Sequence, residues 1–143
     1  MLRWTDMDEA ILLQEIYRSF REKRLAEIVD RLSDDFKFKA ELPHPSPEER
    51  QRPRSRAEIA LMAHQSMSQF DILRFEPGPI TITGDLAFAD TDVKFRHKKT
   101  GKVLETRFQH VWRIAGGKAC ALEQHHDLAA LTAFAESIEN APA

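Results

Sequence analysis

The sequence has a single cysteine, Cys120, so no disulfide can close within the chain and no pair of thiolates can hold a metal. It lies in an apolar stretch, where a packed thiol is the expected state. No apolar run approaches the ~20 residues that a membrane-spanning helix needs. The first nine residues lack the apolar core of a secretion signal, so a cytoplasmic location is expected. Neither sign of charge dominates: 21 Lys and Arg stand against 23 Asp and Glu, a net charge of −2. That balance leaves no electrostatic footprint for nucleic acid or an anionic membrane, and neither is expected as a partner. The one basic cluster, Arg50, Arg52, Arg54 and Arg56, has Glu48, Glu49 and Glu58 around it and reads as a solvated loop.

What is present suffices for one packed domain spanning 1–143, with no internal repeat. Thr5 with Asp8, or Asp6 with Glu9, offers a helix N-cap, and Leu13, Ile16, Tyr17 and Phe20 follow at helical spacing. After a break at Glu22 to Arg24, Leu25, Ile28, Val29 and Leu32 repeat the pattern. Phe36 to Lys39 alternates as a strand does. Four prolines between Pro43 and Arg54 argue against regular pairing there and predict an exposed loop. Ser55 to Glu58 is a capping box, which opens a third helix running to about Met67. From Phe70 the period becomes two, with strands expected at Ile80 to Thr83, Leu86 to Arg96, Val103 to Ile114 and Ala119 to His126. Gly84-Asp85, Lys99-Thr100-Gly101 and Gly116-Gly117 supply their turns. Asp127 caps a last helix carrying Leu128, Leu131, Phe134 and Ile138. Helices first and a meander after them predict an α+β fold. In it a strongly curved antiparallel sheet over residues 69–127 wraps about three N-terminal helices and leaves an apolar concavity, with a helix at the C-terminus.

In this order of elements the chain resembles the nuclear transport factor 2-like superfamily, which includes ketosteroid isomerases and SnoaL-like polyketide cyclases. The resemblance covers about Asp8 to Ile138 and rests on Leu32-Ser33-Asp34-Asp35-Phe36, His110-Val111-Trp112-Arg113, Gly117-Lys118 and Asp127. It implies the cone-shaped cystatin-like roll. Set against the isomerases, it implies catalytic roles for Tyr17 and His110 as donors to an oxyanion and for Glu41 as the base that takes a proton next to a carbonyl. His110 stands where those enzymes carry an aspartic acid. Set against the cyclases, Gln124 occupies the place of their acid/base aspartate, and an amide cannot transfer protons. The resemblance further implies a small apolar or aromatic ligand and no cofactor. An isomerase, cyclase or lyase acting by proton transfer is one outcome; a non-catalytic binder, or a dimeric interaction module of the same fold, is the alternative.

The residues themselves add to this. Phe108, His110 and Trp112 share one face of a strand, while Arg107, Gln109 and Arg113 share the other, so the His110 face is the buried one. His110 is then either a hydrogen-bonded core group or part of a site, and Tyr17 either a core aromatic or a donor to a ligand. Gln124 and His126 lie in phase with Cys120 and Leu122 and, with Trp112 and Met62, complete the expected binding wall. Alternation from Phe88 puts Asp90 and Asp92 on its face, whereas Val93 and Phe95 argue for the other face inward; a bulge would reconcile them. His125, His126 and Asp127 form no metal site, because successive strand residues point to opposite sides. The second sheet face keeps apolar groups, Val93 and Phe95 or else Phe88, and a two-fold homodimer through it is expected. The Pro-rich loop is expected either to roof the pocket mouth or to be a plain surface excursion.

Overall fold

A computed structural model of the chain describes residues 5–140. Helix α1 (Asp6–Arg21) starts at Thr5, whose hydroxyl accepts from the Asp8 amide while the Asp8 carboxylate accepts from the Thr5 amide. It ends where Lys23 turns into the left-handed region, φ 59°. The Lys23 ammonium group, at 2.9 Å from each of the Met67 and Phe70 carbonyls, ties that end to the next long helix. A short α2 (Leu25–Asp30) leads into β1 (Leu32–Lys39). Then come α3 (Pro47–Gln51), β2 (Arg54–Ser55) and α4 (Arg56–Gln69), the last opened by the Ser55–Glu58 capping box. Strands β3 (Phe70–Pro77), β4 (Thr81–Thr83), β5 (Leu86–His97), β6 (Val103–Ala115) and β7 (Lys118–His125) follow, and α5 (Leu128–Glu139) closes the chain on an Asp127 cap. Gly116 and Gly117 both have positive φ (58° and 77°), which the two-residue turn between β6 and β7 requires.

The architecture is α+β: one curved, unclosed seven-stranded sheet in the order β2-β1-β7-β6-β5-β3, with β4 also on β5. All pairings among β3 to β7 are antiparallel. The pairing of β1 with β7 is parallel, a long-range contact that the local pattern did not foreshadow. Helix α1 lies against β3 and α4 against β1, so the helices fill the concave side. There Leu13, Tyr17, Leu32, Phe36 and Val93 are fully buried.

Two readings of the sequence need correction. The Pro43 to Arg54 segment contains the five-residue helix α3, and Arg54 pairs with Phe38. The Arg54 guanidinium is buried and donates to the carbonyls of Arg52 and Glu49 at 2.8 Å, so the loop is pinned by one of the arginines read as solvated. On β5 the inward residues are Ala87, Ala89, Thr91 and Val93, and no bulge interrupts its pairing with β6. Val93 therefore cannot form the outer apolar face, and Phe95 packs against the core. Phe88, 40% exposed, points outward with Asp90 and Asp92. That outer face carries ion pairs instead, among them Asp92–Arg107 at 3.0 Å and Asp71–Arg96 at 2.9 Å. The one bulge on the β6–β7 ladder sits at Cys120, skipped between Ala119 and Ala121, which leaves its thiol half-exposed.

Phe36→Ala should cost about 3–5 kcal/mol of unfolding free energy, since the ring fills the centre of the core. Asp92→Ala removes only an exposed ion pair and should cost less than about 1 kcal/mol. Denaturant midpoints of the two variants check this division between the sheet's two faces.

Candidate functional site

Inside the cone lies a cavity of about 250 Å³. Its walls come from Ile16, Tyr17 and Phe20 of α1, from Phe36 and Phe38 of β1, and from Met62 and Ala63 of α4. Phe75, Phe108 and Trp112 of the sheet close it, and no charged side chain lines it among the described residues. One end is polar. Register explains why: His110 is directly opposite Ala89 on β5 and Gln124 on β7, so the imidazole faces inward beside an amide and has room over an alanine.

Four groups form a knot there. The Tyr17 hydroxyl is 2.6 Å from His110 Nδ1, and Trp112 Nε1 donates to the Tyr17 oxygen at 3.0 Å. Thr91 Oγ1 lies 3.2 Å from both the Tyr17 oxygen and His110 Nδ1. Tyr17 and Thr91 are fully buried and His110 is 3% exposed, yet each is bonded, which is the condition for burying polar groups. Burial pushes the Tyr17 hydroxyl up to about 12, against the opposing effect of its bonds to Thr91 and Trp112. Burial likewise pushes His110 down to about 4, so near neutral pH the imidazole is uncharged and keeps one acceptor nitrogen.

From His110 the network runs outward. Its Nε2 meets Gln124 Oε1 at 3.0 Å, Gln124 Nε2 meets His126 Nδ1 at 3.0 Å, and His126 Nε2 meets the Glu41 carbonyl oxygen at 2.6 Å. Tyr17, His110, Trp112, Gln124 and Met62 thus line the same inner cavity. His126 and Glu41 do not. Both border a separate outer hollow of about 260 Å³, with Lys39, Glu123 and His125, and Gln124 is common to the two. Glu41 approaches the network through its backbone, while its carboxylate is exposed. Thr91 was missed by sequence reasoning because Phe88 argued for one face of β5 inward and Val93 and Phe95 for the other, which left the phase open. The signal was Val93 and Phe95, which lie in phase with Thr91.

A curved sheet wrapped on helices around an apolar, uncharged cavity with one polar end defines the class: a cone of the nuclear transport factor 2-like superfamily. The model of the SnoaL-like domain matches residues 13–122, and the chain belongs to that family. No curated relative matches at a significant level. Among solved structures the chain is similar to AclR, a proposed hydroxylase from Streptomyces galilaeus (16% identity, 96% of this chain and 100% of that one, TM-score 0.76). It is also similar to IdmH, a proposed polyketide cyclase from Streptomyces antibioticus (17%, 89% and 97%, TM-score 0.72). A third, TerC co-crystallised with polyporic acid, is 20% identical over 93% of this chain and 99% of that one, TM-score 0.69. At these identities the likeness is one of fold.

Acid should reveal His110. In the unfolded chain a histidine takes up its proton near pH 6.5, whereas the buried one stays neutral to about 4. The folded state therefore loses stability as pH falls from about 6.5 to 4, by up to about 3 kcal/mol, and none of this is lost above that window. Replacing His110 with Ala removes that slope and leaves the Tyr17 proton without its acceptor, costing about 1–3 kcal/mol at pH 7. Denaturant titrations of both proteins across the window test the two effects together.

Proposed function

We infer that this chain binds a small, uncharged, ring-bearing molecule in the cone, with its polar atom at the Tyr17–His110–Gln124 end. The observation that carries this is the wall itself: apolar on nearly all sides, without a charged side chain among the described residues, and with a few polar groups converging at one place. A ligand carboxylate or ammonium would meet no counter-charge there and would lose its hydration without return. Volume narrows the class further. An engineered cavity of ~150 Å³ takes up benzene, so about 250 Å³ suits a two- or three-ring compound. The co-crystallisation of a structural neighbour with polyporic acid supports an aromatic occupant.

Proton transfer next to a carbonyl is the second reading, and one observation favours it: a neutral imidazole bonded to a phenol at the cavity's polar end. In this reading His110, with Tyr17, carries the acid–base work, because the exposed Glu41 carboxylate lies outside the cavity. Gln124 orients and does not exchange protons. The Pro43 to Arg54 segment borders a separate surface hollow against α5 and does not line the inner cavity, so a rim role for it stands as a proposal only. A two-fold dimer through the outer sheet face also stands as a proposal, supported by Phe88 among the ion-paired rows.

Titration calorimetry with 1-tetralone, phenanthrene and a four-ring ketosteroid should rank the two- and three-ring compounds first. Ala63→Phe, which projects a ring into the cavity, should abolish that binding while the protein stays folded. Undiminished affinity in this variant would move the ligand out of the cone. A proton-exchange assay of 1-tetralone in deuterated water separates the two readings: exchange at the carbon next to the carbonyl, lost in His110→Ala, supports catalysis.

A further inference from the structure

The knot and its outward chain have a direction, because their two ends allow only one role each. The indole Nε1 of Trp112 can only donate, and the main-chain oxygen of Glu41 can only accept. With His126 neutral, its Nε2 must carry the proton given to Glu41, so its Nδ1 must accept. Gln124 then turns its NH₂ to His126 and its oxygen to His110. His110 Nε2 consequently holds a proton and Nδ1 is an acceptor, which fixes the Tyr17 hydroxyl proton on His110. In this resting order the Tyr17 oxygen accepts from Trp112 and Thr91 and offers no proton to the cavity. Within the network, the second hydrogen of the Gln124 amide is the donor left for a ligand.

We propose that Gln124 and His126 are positioning residues whose hydrogen-bond direction decides whether the Tyr17 hydroxyl donates into the protein or to a ligand oxygen. The inference rests on the ligand-binding reading above and names its control. If His126 acquires a second proton, both its nitrogens donate. Gln124 can keep its bond only by turning its oxygen to His126 and its NH₂ to His110. His110 Nε2 then accepts, the ring proton moves to Nδ1, and Nδ1 donates to Tyr17. For the displaced hydroxyl proton, Thr91 Oγ1 at 3.2 Å is the internal acceptor once the Thr91 hydroxyl has turned its own hydrogen away from Tyr17, and a ligand carbonyl can take over that place. The ring keeps one proton throughout and His110 stays neutral, so only His126 changes charge.

The handle is placed where it can be reached. His126 is half-buried at the outer hollow, whereas His110 and Tyr17 are sealed inside. It is faced by Lys39 at the end of β1, by Glu41 just beyond it, by Glu123 and His125 of β7, and by Asp127 at the α5 cap. From α3 and α5 the facing residues, Gln51 and Leu128, are uncharged. The Phe108 ring, 5.7 Å away, closes the inner side. Burial holds His126 below the ordinary histidine range, opposed chiefly by the Glu41 carbonyl, so the reversal belongs to mildly acidic conditions.

Long-range ¹H–¹⁵N spectra of the histidine-labelled protein read both tautomers without a ligand. At about pH 7.5 His110 and His126 should each carry their proton on Nε2, and as His126 gains its second proton on acidification, His110 should shift to Nδ1–H. Gln124→Leu cuts the chain, so His110 should stop following His126; should that variant not fold, the wild-type titration decides alone. A His110 that stays Nε2–H throughout the His126 titration, or that is Nδ1–H already at the start, overturns the proposal. The ligand arm uses 1-tetralone and tetralin, which share a skeleton and differ in the carbonyl. The affinity of the ketone should rise several-fold over the same titration, and that of the hydrocarbon should not. Equal responses of the two overturn the proposal but leave the cavity reading standing. If neither compound binds while the tautomers move as described, the cavity reading fails and the positioning of the network is upheld.

Discussion

The 2.6 Å bond between the Tyr17 hydroxyl and His110 joins the first helix to a strand 93 residues later. Much of the interior depends on it. A buried phenol and a buried imidazole are each costly unless satisfied, and here each satisfies the other, with Trp112 and Thr91 completing the set. The geometry fixes the rotation of α1 against the sheet, since Tyr17 must present its oxygen to three partners on two strands. With that rotation set, Leu13 is driven into the core and Ile16 and Phe20 are left to line the cavity. The hollow thus exists between a helix held at one height and a sheet curved away from it.

The second constraint is the parallel pairing of β1 with β7. Pairing two strands separated by most of the chain has a loop-closure cost in entropy that contacts within the intervening meander help to offset. The pairing completes the cone wall and places the segment after β1 beside the segment after β7. Glu41 and His126 meet for that reason, and they meet through a main-chain carbonyl. A chemically obvious carboxylate is thereby kept outside, and a chemically inert peptide oxygen becomes the end of the buried network. The cavity wall carries no charged side chain among the described residues.

Sequence by itself determined most of the elements and their order, α3 and β2 excepted. Caps at Thr5, Ser55 and Asp127, the 3.6-residue stripe through Leu13, Tyr17 and Phe20, and the glycine turns are local signals with local physical causes, and each was legible. The alternation around His110 likewise marked the inward face of β6. Tertiary structure decided the rest. Phe88 points outward while Ala87, Ala89, Thr91 and Val93 point inward, a choice that the sequence left open between Phe88 on one face and Val93 and Phe95 on the other, and Thr91 was concealed by it. Arg54 is buried because the folded loop brings the carbonyls of Arg52 and Glu49 to its guanidinium, an arrangement that composition cannot reveal. Whether Glu41 would offer its carboxylate or its carbonyl depended on how β1 lies beside β7. Periodicity reports which way a side chain points from its own element; which groups it then meets is set by long-range register, and that exists only once the sheet has closed.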